Sequence, residues 1–223
     1  MNSYGRQSIN QADIDAVVQV LQSDFLTQGP VVKQFEQKIA DLCSAKHAIA
    51  ASNATACLHL ACLALDIHKD DIVWTAPNSF VASANCAIYC GASVDFVDID
   101  IETGLLSIRH LEEKLRHAEQ QGKLPKALIP VHFAGQSCDM KAIASLAKKY
   151  HFFVIEDASH AIGGKYDSHP IGNCSYSDIS IFSFHPVKII TTAEGGMALT
   201  NNSKLAQRIR RLSSHGITRQ EDE

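Results

Sequence analysis

Hydrophobic positions along the chain follow two alternating spacings, which together predict an α/β fold. Short apolar runs, typical of buried strands, are separated by longer segments with apolar residues three or four positions apart, typical of helices. The predicted strands lie at 47–51, 71–77, 93–99, 126–133, 152–159, 178–184 and 196–200. Because these strands are apolar throughout, we expect a largely parallel sheet covered by helices on both faces.

The helical segments carry recognisable start signals. Asn10 followed by Asp13 is typical of a helix start, and Pro30 suits the first turn of the next helix. Further helices are predicted from residues 55 and 79, around 109–119, and at 139–150 and 203–214. The alternation contains no internal repeat and no low-complexity linker, which favours one large domain.

Composition and charge exclude several classes of protein. The 223 residues are 46% apolar and 20% charged, and the net charge is −4 with scattered basic residues, so nothing indicates binding to nucleic acid or to an anionic membrane. No apolar run approaches the ~20 residues that span a bilayer. The polar N-terminus lacks the apolar core of a signal peptide. Seven cysteines without C-x-x-C spacing indicate buried free thiols in a reducing cytosol rather than disulfides or a metal site.

The first candidate for chemistry is "SNATA" at 52–56, where a predicted strand leads into a helix. In sheets of this kind, ligands bind at the carboxyl ends of the strands. Small residues there let backbone N–H groups approach an anion, and the helix N-terminus favours negative charge. A phosphate site with Thr55 donating its hydroxyl is one interpretation. A simple helix cap is the other, and for this stretch alone it is the more common case.

The second candidate is "VIEDASHAIG" at 154–163, which places Glu156 and Asp157 at the end of a predicted central strand. A carboxylate there would be partly desolvated, which is costly unless a cation or a hydrogen-bond donor meets it. Alternatively, Asp157 caps a helix and His160 is a half-buried histidine with its hydrogen bonds satisfied.

The third candidate is Lys188 within "SIFSFHPVKIITTAEGG", where it stands between Val187 and Ile189. Apolar surroundings favour the neutral amine, which is the form that attacks a carbonyl. Alternatively, the lysine stem packs on apolar surface and its ammonium group stays in water.

Taken together, the three candidates match what pyridoxal phosphate requires. A lysine holds its aldehyde as an imine, a carboxylate keeps its ring nitrogen protonated, and an anion site binds its phosphate. Phe80 adds a flat apolar side chain that could cover one face of the ring.

With these motifs, the chain resembles the DegT/DnrJ/EryC1/StrS family of sugar-nucleotide aminotransferases. The matching stretches are "LTQGPVVKQFE", "ASNATACLHL", "PNSFVASAN", "VIEDASHAIG" and "FSFHPVKIITTAEGG", which follow in family order over nearly the whole chain. The resemblance implies pyridoxal phosphate as the cofactor. It also implies the large domain of a type I aminotransferase, with a mixed, mostly parallel sheet between helices.

The resemblance also assigns residues to roles. Lys188 becomes the Schiff-base lysine, Asp157 the partner of the ring nitrogen, and His160 a neighbour of the cofactor's ring oxygen, while Phe80 covers the ring. The residues implied at the phosphate are Asn53, Ala54, Thr55 and Ser183, and those implied at the sugar nucleotide are Tyr4, Leu26, Thr27, Gln28 and Gly29.

Two residues indicate a branch of the family. Ala193 stands where many members have glycine, and His160 stands where many have glutamine. The implied reaction converts a 4-keto-6-deoxy UDP-N-acetyl-hexose to the 4-amino sugar with L-glutamate, in pseudaminic acid biosynthesis, by a cytoplasmic homodimer. Transamination of another UDP- or dTDP-linked keto sugar remains an alternative. Sugar dehydration is disfavoured, because the relatives that catalyse it have a histidine in place of Lys188.

Family members continue beyond "RLSSHG" into a smaller C-terminal domain, whereas this chain ends at Glu223. We therefore expect residues 1–223 to be the cofactor-binding large domain, with residues 1–30 contributing to the substrate cleft. A truncated cofactor domain that catalyses no turnover is the non-enzymatic alternative.

Overall fold

A seven-stranded mixed sheet forms the centre of the structure, a computed structural model that describes residues 5–217. The strands in chain order are β1 (His47–Ala51), β2 (Ile72–Thr75), β3 (Ser93–Phe96), β4 (Ala127–Ile129), β5 (Phe153–Asp157), β6 (Lys165–Tyr166), β7 (His169–Pro170), β8 (Ile179–Ser183) and β9 (Gly196–Thr200). The sheet runs in the order β1-β9-β8-β5-β4-β2-β3, and β6 and β7 form a separate hairpin that the hydrophobic pattern did not predict.

The pairing confirms a mixed, mostly parallel sheet. Strands β3, β2, β4, β5 and β8 are parallel neighbours, and β9 is antiparallel to both β8 and β1. The parallel strands therefore all end at one edge of the sheet, which is where side chains that follow them can meet.

Residues 5–217 contain seven α-helices, which begin close to the predicted positions. They are α1 (Gln11–Leu21), α2 (Pro30–Cys43), α3 (Ala54–Ala64), α4 (Ala82–Tyr89), α5 (Ile108–Gln121), α6 (Met140–Tyr150) and α7 (Ser203–Ser213), with a 3-10 turn at Phe133–Gly135. Asn10 and Asp13 form a reciprocal capping box at the start of α1, and Pro30 is the first residue of α2. The helix predicted from Ser79 begins at Ala82 instead.

Both faces of the parallel strands are covered, as the continuous apolar runs predicted. On β5, Ile155 packs into a cluster with α3, α4 and α7, whereas its neighbour Val154 packs into the opposite cluster with α5 and α6. Successive strand residues point to opposite faces, so each strand must be apolar on both. A third cluster joins α2 to β8 and β9 through residues such as Ile39 and Phe182.

The first helix is exposed, whereas the cysteines are mostly buried. The apolar residues of α1, among them Val17 and Leu21, are exposed, and no residue of that helix is buried within residues 5–217. All seven cysteines are free thiols, and six of them are buried. In the described range, every helix is too short or too polar to cross a bilayer.

The start of β9 lies directly against the start of α3. A Cβ atom added to Gly196 would come within 2.4 Å of the Asn53 carbonyl carbon and within 2.5 Å of the Ala54 nitrogen. These atoms belong to backbone, which cannot rotate away as a side chain can. Gly196 therefore permits the close approach that sets the first turn of α3 over the end of the sheet.

We predict that Gly196→Ala lowers the free energy of unfolding by about 3 kcal/mol, because the new methyl group overpacks a contact made by backbone. Gly122→Ala is the matched control. Gly122 has a φ of +66° with no atom within 4 Å of an added Cβ, so only its backbone conformation is strained, at about 1 kcal/mol. Urea unfolding of both variants measures the difference. Equal losses would show that the contact with α3 is not tight.

Candidate active site

A cavity of about 500 Å³ opens at the edge where the parallel strands end. Its walls come from the start of α3, the loop after β2, the segment after β4, the turn after β5 and the loop after β8. All of the residues predicted to bind the cofactor line this one cavity: Asn53, Ala54, Thr55, Phe80, Asp157, His160, Ser183 and Lys188. Residues far apart in the sequence are thus brought together by the topology of the sheet.

The residues predicted at the sugar nucleotide are placed differently. Leu26, Thr27, Gln28 and Gly29 connect α1 to α2 and do not line the cavity. Gly29 is buried at the start of α2, whereas Leu26 to Gln28 are exposed. Tyr4 lies outside the described residues. Within residues 5–217, the structure therefore does not bring this predicted set to the cavity.

Asp157 is the buried carboxylate of the site, and the residue is 5% exposed. Its Oδ2 atom accepts a hydrogen bond from Ser83 Oγ at 2.6 Å. Its Oδ1 atom accepts from Ser159 Oγ at 2.6 Å and from the Ser159 backbone N–H at 3.2 Å. These donors compensate for the lost hydration of the carboxylate. The alternative that Asp157 caps a helix is wrong, because turns follow it, and the next regular element is β6.

At the other side of the cavity, Asn53 caps α3, and its side-chain oxygen accepts from the Ala56 N–H at 2.8 Å. The cap interpretation of this stretch is therefore confirmed. It does not exclude an anion site, because Ala54 and Thr55 line the cavity from the first helical turn, where N–H groups have no acceptor within the helix. Ser183 adds a hydroxyl group at the end of β8.

Lys188 lies in the loop between β8 and β9, and its Nζ atom contacts His160 Nε2. Burial lowers the pKa of Lys188, and the nearby Asp157 carboxylate opposes part of that shift. Burial also lowers the pKa of His160, with a second contribution from the positive charge of Lys188 and an opposing one from Asp157. Burial thus makes the charged form of each group less favourable here than it is in water.

The apolar neighbours of Lys188 in the sequence do not cause this burial. Val187, Ile189 and Ile190 are 44%, 63% and 44% exposed. The lysine is instead half-buried by the cavity wall around Asp157 and His160. The pKa of Lys188 is lowered, as apolar surroundings were expected to lower it, but the apolar residues next to it in the sequence are largely exposed.

Sequence reasoning missed a buried pair of side chains at the cavity, His132 and Glu156. His132 Nε2 lies 2.7 Å from Glu156 Oε1, and Ser177 Oγ donates to the other oxygen of Glu156 at 2.9 Å. The His132 backbone N–H donates to the Asp157 carbonyl at 3.0 Å. The sequence indicates that Glu156 is a desolvated carboxylate, and His132, near the end of the predicted strand at 126–133, is the available signal for its partner.

Comparison with known proteins identifies this arrangement. The family model described as the DegT/DnrJ/EryC1/StrS aminotransferase family matches residues 7–223. The chain belongs to this aminotransferase family. Its aminotransferases depend on pyridoxal phosphate, and the Streptococcus pneumoniae protein Spr1654 in its PLP form superimposes on 99% of the chain with a TM-score of 0.88 and 28% identity, over 59% of that protein.

Individual family members are also similar to the chain. A UDP-4-amino-4,6-dideoxy-N-acetyl-beta-L-altrosamine transaminase of Campylobacter jejuni is 44% identical over 220 residues, which cover 98% of this chain and 56% of the relative. Helicobacter pylori PseC, an aminotransferase involved in the biosynthesis of pseudoaminic acid, superimposes with a TM-score of 0.88 and 31% identity, over 99% of this chain and 58% of PseC. The chain spans a little over half the length of the curated relatives it matches.

The lowered pKa of Lys188 can be tested without cofactor. We predict that acetic anhydride labels Lys188 with a pH midpoint below that of Lys149, an exposed lysine whose pKa is raised mainly by Tyr150, with the Lys149 Nζ atom 4.6 Å from the centre of that ring. Peptide mass spectrometry at a series of pH values measures both midpoints in one sample. In Asp157→Asn the Lys188 midpoint should fall further, because the charge that opposes the shift is removed. A Lys188 midpoint at or above that of Lys149 would contradict the assignment.

Proposed function

We propose that the protein transfers an amino group from L-glutamate to a 4-keto-6-deoxy UDP-N-acetyl-hexose, with pyridoxal phosphate as the cofactor. The observation that supports this most strongly is the convergence of Lys188, Asp157 and the N-terminus of α3 on one cavity. When bound, pyridoxal phosphate carries the amino group and draws electrons from the carbon that loses a proton.

The residues of the cavity fit this cofactor in charge and shape. Ala54, Thr55 and Ser183 would hold the phosphate, because they offer first-turn N–H groups and hydroxyls at a helix N-terminus. Asp157 is an acceptor whose remaining capacity suits a cationic N–H group. Phe80 lies on the cavity wall and is 76% exposed, so its ring is free to cover a planar ligand.

Lys188 would act first as a nucleophile and then as a base. Its Nζ, whose pKa is lowered by burial, would hold the cofactor covalently, and when free it would accept the proton that the substrate carbon loses. His160 Nε2, which contacts Nζ, would orient the amine for both steps.

The named substrate is supported by residues and by relatives. By the resemblance, Ala193 and His160 fit the branch of the family that acts in pseudaminic acid biosynthesis. The Campylobacter jejuni relative is named as a transaminase for a UDP-linked 4-amino-4,6-dideoxy sugar, and Helicobacter pylori PseC is described as involved in the biosynthesis of pseudoaminic acid. Further parts of the proposal are a homodimer, a cytoplasmic location, and residues 1–223 as the cofactor-binding large domain with residues 1–30 at the substrate cleft. The seven free thiols are consistent with a reducing compartment.

The direct test is to incubate the full-length protein with pyridoxal phosphate, L-glutamate and a panel of UDP- and dTDP-linked keto sugars. We expect 2-oxoglutarate and an amino sugar to form in equal amounts, fastest with the 4-keto-6-deoxy UDP-N-acetyl-hexose. Faster amination of a dTDP sugar would overturn the substrate. No amination of any sugar would favour the non-catalytic alternative.

We predict that Lys188→Ala abolishes both transamination and covalent attachment of the cofactor. Lys188→Arg should not restore either, because a guanidinium group stays protonated and is not a nucleophile. The measurements are turnover and the visible absorbance that borohydride removes. Substantial transamination by either variant would show that another group does this work.

For Asp157→Asn we expect a folded protein whose rate falls by at least ~10²-fold, because a preorganised charge opposite the ring nitrogen is lost. Thermal unfolding of the variant checks the fold, and turnover at saturating cofactor checks the rate. A rate near that of the wild type would mean that the carboxylate serves only to fix the turn at Ser159.

A further inference from the structure

Ser83 contacts the carboxylate of Asp157 from outside the cavity. It is 1% exposed and is not part of the cavity wall, although its Oγ lies 2.6 Å from Asp157 Oδ2. We propose that Ser83 is a positioning residue that holds Asp157 with one acceptor position open toward the ring nitrogen of the cofactor. This inference rests on the proposed function, because it assumes that a ring nitrogen is the partner of Asp157.

The hydrogen bonds of Asp157 support this by a simple count. An ionised carboxylate has about four acceptor positions, two on each oxygen. Ser159 occupies both positions on Oδ1 with its hydroxyl and its backbone N–H, and Ser83 occupies one on Oδ2. Among the described residues, one position therefore stays open, and it lies on Oδ2. Without Ser83, Oδ2 would have no protein donor, and that oxygen would be fixed only through Oδ1.

The behaviour of the Ser83 hydroxyl is unusual for a helical serine. Serine within a helix commonly donates to a carbonyl one turn earlier. Ser83 is the second residue of α4, and it donates across to β5, while its Oγ accepts from Ser79 Oγ at 3.3 Å. Ser79 lines the cavity, so this chain of hydroxyls connects the cavity wall to the back of the carboxylate.

The contact also joins two elements that the sequence separates by 74 residues. Asp157 ends β5, the central strand, and Ser83 lies in the first turn of α4, the helix after β2. Rotation of the carboxylate about its Cβ–Cγ bond would break the bonds to Ser83 and to Ser159 together. The two serines thus select one orientation of Asp157 before any ligand binds, which is the condition for electrostatic preorganisation.

The test compares three variants of the full-length protein. Ser83→Ala removes the donor, Ser83→Thr keeps a hydroxyl, and Ser180→Ala is the control. Ser180 is 0% exposed, and its hydroxyl has no hydrogen-bond partner in the described part of the chain, so its removal matches the buried change without touching Asp157. Absorbance titration measures the dissociation constant of pyridoxal phosphate and the pH dependence of its visible band.

We expect Ser83→Ala to weaken cofactor binding by ~10-fold, because a hydrogen bond to a buried charge is lost, and to shift the pH dependence of the band. Ser83→Thr should restore both, and Ser180→Ala should match the wild type. If Ser83→Ala matches Ser180→Ala, the inference is overturned while the proposed function stands. The proposed function is tested separately with the wild-type protein. If its cofactor is not attached through Lys188, the proposed function is wrong.

A second measurement needs no cofactor. Thermal unfolding of Ser83→Ala, Asp157→Ala and the double variant forms a double-mutant cycle. If Ser83 holds Asp157, the double variant should unfold no earlier than the less stable single variant, because both changes remove the same contact. Additive losses of stability would overturn the inference.

Discussion

The site depends on a buried negative charge at the end of the central strand. Asp157 is 5% exposed, and moving a carboxylate out of water is costly unless donors or a cation replace the lost hydration. Ser83 and Ser159 supply donors, and the carboxylate also acts on its surroundings by opposing part of the shift that lowers the pKa of Lys188. A ligand with a cationic N–H group would complete the compensation, which is why the geometry favours a protonated pyridine ring.

The fold holds this charge in place through topology rather than through any single strong contact. Parallel strands place the ends of β4, β5 and β8 at one edge, so that residues from distant parts of the chain surround one cavity. The antiparallel strand β9 returns from that edge, and Gly196 at its start lets α3 approach closely. The same loop that connects β8 to β9 carries Lys188. The start of α3, Asp157 and Lys188 are therefore all placed at the same edge of the sheet.

Local patterns were sufficient to predict the parts of this arrangement that depend on short stretches of chain. The strands, the capping box at Asn10 and the general position of Asp157 follow from spacing and residue type. Contacts between residues on different strands and helices cannot be predicted from such local patterns. In the sequence, Ser83 is an ordinary serine in a predicted helix, and only the fold brings it to Asp157 on β5. Lys188 stands between apolar residues in the sequence, although Val187 and Ile189 are 44% and 63% exposed in the structure. The stretch from Leu26 to Gly29 was assigned by resemblance, and the described part of the chain does not bring it to the cavity.

The central claim is that Lys188 is the residue that binds the cofactor covalently, and one measurement tests it most directly. The full-length protein would be incubated with pyridoxal phosphate, reduced with borohydride, digested and mapped by mass spectrometry. The account predicts a pyridoxyl group on Lys188 at stoichiometric yield, with the other lysines essentially unmodified, because burial lowers the pKa of its amine and because it lines the same cavity as Asp157 and the start of α3. Modification spread over surface lysines with Lys188 unmodified would contradict it.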